Sequence, residues 1–172
     1  WTQDVHLSSP VLWIIDPIDG TNNYAHAIPH YATSVAYAEA GEVVAGAIYD
    51  PERGELFSAY LGGGAYLNGE PITVSSVGSM TEALVATGFY YDRGEMMEQT
   101  LEAIRRLFKE HIHGIRRSGS AALDLCWTAA GRFDAFFEYD LGPWDYAAGT
   151  RILTEAGGVV SGTDGSARTL TT

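Results

Sequence analysis

An apolar run that ends in two carboxylates sets the strongest limit on how this chain can fold. The run Val-Leu-Trp-Ile-Ile at 11–15 is followed at once by Asp-Pro-Ile-Asp-Gly-Thr at 16–21. A short apolar run bounded by turn residues predicts a buried strand. Pro17 biases Asp16 toward an extended conformation, so Asp16 and Asp19 can both be aimed at one point beyond the strand.

The hexapeptide combines groups that bind a metal with groups that bind an anion. Its carboxylates and the Ile18 carbonyl form an all-oxygen ligand set, which suits Mg²⁺ or Mn²⁺. Gly20 lets the backbone approach a ligand, and a helix starting at Thr21 would direct its N–H groups at an anion. Turn chemistry also explains Asp, Pro and Gly at such a junction. The hexapeptide alone therefore leaves a structural and a functional interpretation open.

A second acidic motif near the other end of the chain favours the functional interpretation. It reads Gly-Pro-Trp-Asp-Tyr-Ala-Ala-Gly at 142–149 and places Asp145 in the first turn of a predicted helix. Taken alone, Asp145 is an acid that stabilises the helix dipole. Together with Asp16 and Asp19, it could be a third metal carboxylate.

These motifs resemble the signature sequences of the inositol monophosphatase family. The first motif continues as Asn-Asn-Tyr at 22–24, and the segments Arg-Ser-Gly-Ser-Ala-Ala-Leu-Asp-Leu at 117–125 and Thr-Glu-Ala-Gly-Gly at 154–158 follow in the family's order. The resemblance implies a lithium-sensitive, Mg²⁺-dependent phosphatase with the layered αβαβα sugar-phosphatase fold. The family's N-terminal helical pair and upstream metal-binding glutamate have no counterpart before Asp16. We therefore expect the sequence to lack an N-terminal portion and a short C-terminal one.

The resemblance implies a metal site with two or three Mg²⁺ ions, or Mn²⁺ in their place. Asp16 would bridge two metals and the Ile18 carbonyl would complete one of the sites. Asp19 and Asp145 would hold the second metal. Asp16, Asp19 and Thr21 would be the catalytic residues, with the Thr21 hydroxyl orienting the attacking water.

The resemblance also implies a substrate site. Glu138 lies seven residues before Asp145, at the spacing where the family has a glutamate that binds a substrate hydroxyl, although a Glu at a strand end is usually a surface acid. Ser120 and Ala121 fall where the family contacts the sugar ring, and a neutral hydroxyl with backbone amides suits a polyol. The implied substrate-binding residues are Asp19, Gly20, Thr21, Ser120, Ala121, Glu138 and Asp145.

The order of predicted elements indicates layered sheets and helices, an α+β or mixed α/β architecture. Strands are predicted at 11–15, 31–38, 42–49, 55–60, 65–67, 114–116, 133–139 and 159–161, and helices at 95–111, from about 118–120, and at 144–156. The Asn68-Gly69 pair indicates a hairpin, and with the strands from 31 to 67 it predicts a largely antiparallel meander. Gly62-Gly63-Gly64 lies between two strands with no helix after it, so it is interpreted as a turn and not as a phosphate loop.

Length and charge limit the classes of partner. The 172 residues, 46% hydrophobic and 19% charged, predict one globular domain over 1–172. A net charge of −12 argues against nucleic acid and anionic membranes, whereas bound cations would let an acidic site take a phosphate ester. No apolar run approaches the ~18 residues that span a bilayer. The single cysteine, Cys126, favours a reducing compartment and is expected to be buried, so we expect a cytoplasmic protein.

The leading hypothesis is a Mg²⁺-dependent phosphatase that hydrolyses inositol monophosphate or a similar small polyol phosphate, as a homodimer. Histidinol-phosphate, fructose-1,6-bisphosphate and adenosine 3′,5′-bisphosphate phosphatases are alternatives within the superfamily. An alternative of another class is a regulatory protein on the same fold that binds a macromolecular partner. The presence of all three motif aspartates favours an enzyme, because three buried like charges with no metal to bind would be costly. His26, His30, His111 and His113 are interpreted as structural or surface residues.

Overall fold

A six-stranded antiparallel sheet forms the first layer of the computed structural model, which describes residues 9–89, 93–163, 165–166 and 170. The strands follow one another in sequence order across the sheet. They are β1 (Val11–Asp19), β2 (Ala32–Glu39), β3 (Glu42–Asp50), β4 (Glu55–Tyr60), β5 (Ala65–Leu67) and β6 (Glu70–Ile72). Two-residue turns with positive φ at Ala40-Gly41 and Asn68-Gly69 close two of the hairpins, because such turns match the twist of the strands. The meander predicted from the sequence is confirmed.

A second, parallel sheet and four α-helices form most of the rest of the described chain. The strands of this sheet are β7 (Leu84–Thr87), β8 (Gly114–Arg116) and β9 (Ala135–Phe137), and the α-helices are α1 (Thr21–Ala25), α2 (Glu95–Lys109), α3 (Ala121–Ala129) and α4 (Pro143–Glu155). The sheet has the order β8-β7-β9, and a 3-10 helix at Met80–Glu82 precedes β7. None of the described helices is long and apolar enough to cross a membrane.

Helices α3 and α4 form a layer between the two sheets. Helix α4 packs on β1 to β5, while α3 packs on α4 and contacts β7 and β9 of the second sheet. Small residues allow the close approach: a Cβ at Gly46 of β3 would lie 2.7 Å from the carbonyl oxygen of Ala148 in α4, and one at Gly149 would lie 2.7 Å from Leu125. The principal core, which includes Ile48, Phe57 and Ile152, lies at this interface. The layered α+β architecture expected from the sequence is confirmed.

Several predicted elements differ from the observed ones. The helix predicted at 95–111 ends at Lys109, since His111 adopts a left-handed φ of 58°. The strand predicted at 133–139 is confined to β9. The strand predicted at 159–161 is not formed: Val159 is 90% exposed, and only an isolated bridge occurs at Ser161. The short strand β7 was not predicted, whereas β6 is the second strand of the hairpin predicted at Asn68-Gly69, for which the sequence set no bounds.

The spacing of Met97, Leu101, Ile104 and Phe108 predicts one apolar face on α2, but Leu101 and Phe108 are exposed. Leu107, which lies outside that set, packs on the small cluster of Ala83, Val85 and Ile112. Periodicity therefore located the helix correctly but overstated how much of its face the described part of the chain buries.

The glycine-rich segment at 62–64 is a turn, as predicted, and it also binds an anion from within the protein. The Gly62 and Gly64 N–H groups donate to the two carboxylate oxygens of Glu155, at 2.9 and 3.0 Å. These bonds connect the turn after β4 to the C-terminal end of α4.

Candidate metal and phosphate site

A bulge near the end of β1 brings two carboxylates to one face of the sheet. In a regular strand, side chains three residues apart point to opposite faces. Asp16 pairs with Ser34 but Asp19 pairs with Ala32, so an advance of three residues on β1 matches an advance of two on β2. The extra residue is a β-bulge. Ser34 and Ala32 are both buried, which places the two aspartates on the side covered by the helices.

The start of α4 brings the third carboxylate to the same point. One oxygen atom from each of Asp16, Asp19 and Asp145 lies within 4.8 Å of the other two. Oxygen ligands lie about 2.0–2.1 Å from a Mg²⁺ ion, so ligands on opposite sides of one ion are roughly 4.2 Å apart. The three carboxylates predicted from the two motifs therefore lie close enough together to share a divalent cation.

Hydrogen bonds hold each carboxylate by one oxygen. Asp16 Oδ1 accepts from the Ile18 N–H at 3.0 Å, and Asp145 Oδ2 accepts from the Gly142 N–H at 2.8 Å. Asp19 Oδ2 accepts from both the Ser120 hydroxyl and the Ala122 N–H, at 2.5 and 2.8 Å. These bonds orient the three carboxylates toward one another.

Burial raises the pKa of all three carboxyl groups. The pKa of Asp19 rises to about 7, mainly through burial, with the neighbouring charges of Asp145 and Asp16 adding to the shift. Burial raises the pKa of Asp145 to about 6 and that of Asp16 above its ordinary value. Adjacent anions removed from water are unfavourable without a partner. A divalent cation would remove this cost, so the donor set fits Mg²⁺ or Mn²⁺.

The predicted phosphate contacts, Gly20 and Thr21, lie directly beside this cluster. Gly20 precedes α1 with a left-handed φ of 86°. A Cβ there would lie 3.1 Å from the His30 carbonyl oxygen and 3.2 Å from that of Gly119, so only glycine fits without displacing the backbone. Thr21 is exposed at the start of the helix. The roles of their amides, and of the Ile18 carbonyl as a ligand, stay predictions.

Glu138 lies immediately after β9 and approaches the metal cluster from the second sheet. Parallel pairing of β7 with β9 aligns Thr87 with Phe137, which sets Gly88 beside Glu138. A Cβ at Gly88 would overlap the Glu138 carboxylate, so the glycine leaves room for it. The pKa of Glu138 rises to about 7, mainly through burial, with the charges of Asp145 and Asp19 contributing to the rise and that of Arg117 opposing it.

Ser120 and Ala121 lie at the start of α3, where the sequence placed them. Both are buried, and the Ser120 hydroxyl donates to Asp19. Ser120 Oγ also accepts from the Leu123 N–H and so caps the N-terminus of α3. A sugar contact by Ser120 and Ala121 stays a prediction, while the bond from Ser120 to Asp19 is a feature that sequence reasoning missed.

Sequence reasoning also missed two buried polar residues. Asn23 in α1 and Asp124 in α3 are 6% and 1% exposed. The pKa of Asp124 rises to about 8, mainly through burial, with a hydrogen bond from Ser118 opposing the rise and the charges of Glu138 and Asp19 contributing to it. No periodic pattern marks such residues, although Asn23 lies inside the first motif.

The remaining candidate residues have structural surroundings. Cys126 is buried, and burial raises the pKa of its thiol well above the ordinary value. His30 is buried against the edge of the Trp127 ring. Among the described residues, no histidine belongs to a cluster that could hold a metal ion.

The fold and this acidic site define the chain as a member of a phosphatase family. A model of the inositol monophosphatase family matches residues 2–172, and the chain belongs to that family. The inositol-1-monophosphatase of Rhizobium meliloti is 43% identical over 159 residues, covering 92% of this chain and 59% of that protein. The Nus factor SuhB of Escherichia coli K12 is 44% identical over 151 residues, covering 88% of this chain and 56% of that protein.

Solved structures show the same relationship. The inositol monophosphatase from Anabaena superposes with a TM-score of 0.89 at 42% identity, covering 94% of this chain and 64% of that one. The chain thus spans less than two thirds of the length of each of these three relatives.

Proposed function

We propose that the protein is a divalent-cation-dependent phosphatase that hydrolyses a small polyol phosphate monoester, with inositol monophosphate as the first candidate substrate. The observation that carries the proposal is the convergence of Asp16, Asp19 and Asp145 within 4.8 Å. Membership of the inositol monophosphatase family supports the same activity. Asp19 is buried, and keeping three carboxylates together there would be unfavourable unless a cation neutralised their charge.

The chain's own residues would divide the work of hydrolysis. Bound divalent cations would neutralise the doubly anionic ester and activate a water. The three aspartates would hold those cations, each oriented by the hydrogen bonds described above. Gly20 and Thr21 would bind the phosphate through backbone amides, and the Thr21 hydroxyl would orient the attacking water. Glu138, at the edge of the site, would accept hydrogen bonds from the substrate's hydroxyl groups.

The direct test is phosphate release by the full-length protein. Inositol 1-phosphate, histidinol phosphate, fructose 1,6-bisphosphate and adenosine 3′,5′-bisphosphate would be compared at saturating Mg²⁺. We expect the highest kcat/KM on inositol 1-phosphate, and no turnover in the presence of a chelator. Asp16→Asn and Asp145→Asn should each lose nearly all turnover, because each change removes a metal ligand. Each metal-free variant should be about as stable as the metal-free wild type, because the change also relieves repulsion between the carboxylates. Retained turnover in either variant would contradict the mechanism.

A second candidate function is regulatory binding to a macromolecular partner. The observation that favours it is the 44% identity to an E. coli relative named a Nus factor. Replacing the chromosomal gene with the Asp145→Asn variant separates the two functions. A variant that lacks turnover but still supports the growth lost on deletion would favour the regulatory role, and one that fails like the deletion would favour catalysis.

A further inference from the structure

The loop that leads into α3 holds the metal ligand Asp19 in place. Ser120 at the end of this loop donates its hydroxyl hydrogen to Asp19 Oδ2, and the nearby Ala122 N–H donates to the same oxygen. Both donors depend on where the loop and the start of α3 lie relative to β1. Loss of a residue that orients a metal ligand typically costs about 10- to 100-fold in metal affinity.

A buried asparagine binds this loop to α1. The Asn23 side-chain Nδ2 donates two hydrogen bonds, to the Ser118 carbonyl oxygen at 2.9 Å and to the His30 carbonyl oxygen at 2.7 Å. Both hydrogens of the amide are therefore used. Ser118 is 95 residues away in sequence and only two residues before Ser120. The asparagine thus connects the segment that begins at Gly20 to the loop that holds Asp19.

Gly20 and Gly119 pack tightly around the contact between the Asn23 amide and the loop. Gly119, between the two serines, has a φ of 96°, and a Cβ there would lie 2.9 Å from Asn23 Nδ2. A Cβ at Gly20 would lie 3.2 Å from the Gly119 carbonyl oxygen. The two glycines let the segments close around the amide. Removing the amide would leave the buried His30 carbonyl and the part-buried Ser118 carbonyl without this donor, and the loop could move to let water reach them.

We propose that Asn23 is a positioning residue for the metal site: by holding the Ser118 carbonyl it keeps Ser120 and Ala122 in place to orient Asp19. The inference rests on the proposed function, because it assumes that Asp19 binds the cation. Asn23 contacts neither cation nor substrate in this scheme. Its effect reaches the metal through the loop and through the Ser120 hydroxyl.

The test is a double-mutant cycle on Mn²⁺ affinity, measured on the full-length protein by electron paramagnetic resonance of free Mn²⁺. Asn23→Ala and Ser120→Ala should each weaken Mn²⁺ binding about 10- to 100-fold. The double variant should have the same Mn²⁺ affinity as whichever single variant binds Mn²⁺ less tightly. The two losses should not add, because both changes release the same carboxylate of Asp19. Asn22→Ala is the matched control, because Asn22 is the exposed neighbour in the same helix. Its affinity should stay within about twofold of the wild type.

The outcomes separate positioning from general stabilisation and from failure of the metal site. A merely structural Asn23 would lower the melting temperature of Asn23→Ala but leave the Mn²⁺ affinity of the folded protein unchanged, which would overturn the inference. Fully additive losses in the double variant would also overturn it. A wild-type protein that binds no Mn²⁺ would instead overturn the proposed function and the inference with it. If Asn23→Ala does not fold, Asn23→Ser, whose single hydroxyl can serve only one carbonyl, should show the same loss of affinity in milder form.

Discussion

Replacing Gly46 with alanine should disturb the metal site from the opposite side of the core. Gly46 lies in β3 beneath α4, and a Cβ there would be 2.7 Å from the Ala148 carbonyl oxygen and 2.9 Å from its Cα. Comfortable contacts between such atoms begin near 3.5 Å, so α4 would have to move by about 0.8 Å. Asp145 lies one turn before Ala148 on the same helix. The carboxylate would therefore move relative to Asp16 and Asp19.

The expected effect of Gly46→Ala is large for activity and moderate for stability. Overpacking of this kind costs roughly 1–3 kcal/mol of unfolding free energy. Mg²⁺ demands near-ideal ligand geometry at about 2.0–2.1 Å, and a misplacement near 1 Å can cost about 100-fold in rate. We expect a loss of turnover of that order, together with a higher Mg²⁺ concentration for half-maximal activity. Adding Ala148→Gly should not rescue the enzyme, because the clash is with the Ala148 main chain.

The assays are urea unfolding and phosphate release as a function of Mg²⁺ concentration. Gly78→Ala is the control, because a Cβ at Gly78 meets no atom within 4 Å and its φ is not left-handed. It should leave both measurements unchanged. A Gly46→Ala enzyme with wild-type stability and wild-type Mg²⁺ dependence would show that the helix position does not control the site.

Three further predictions address charge, specificity and assembly. The pKa of Asp124 rises to about 8 in the folded state, mainly through burial, whereas its value in the unfolded chain is near 4. The folded state therefore holds this proton more tightly than the unfolded state does. As a result, the unfolding free energy of the metal-free protein should fall as the pH rises from about 4 to 8. Asp124→Asn should flatten that decline in urea unfolding at pH 5 and 8, and an unchanged slope would refute the reasoning. Glu138→Gln should raise KM for inositol 1-phosphate but hardly affect glycerol phosphate, with Mg²⁺ dependence unaltered; equal loss of turnover on both would place Glu138 in the catalytic apparatus. The full-length protein should be a homodimer by light scattering at micromolar concentration, and a monomeric mass would reject this.

Local features of the fold were predictable because they depend on neighbouring residues. Alternating side chains and the Asn68-Gly69 pair predicted the meander of the first sheet, since strand period and turn type are properties of a few adjacent residues. The position of α4 followed from its apolar period and from the glycines after it. Where local signals were weak, prediction failed: the short strand β7 carries no alternation, and the strand predicted at 159–161 has apolar residues but no partner strand among the described residues.

The sequence by itself determined which residues could form a cation site, and the tertiary structure decided how they meet. The residue types and spacing of Asp16, Asp19 and Asp145 indicated oxygen ligands, and the family resemblance implied their roles. Spacing alone could not show that a bulge turns Asp19 to the same face as Asp16, because the bulge depends on pairing with β2. Nor could it place the Asn23 amide against Ser118 or bring Ala148 over Gly46. Such contacts join segments that are distant in sequence, and they depend on which elements pack against each other. A local sequence pattern shows only which residues share one face of a helix or strand.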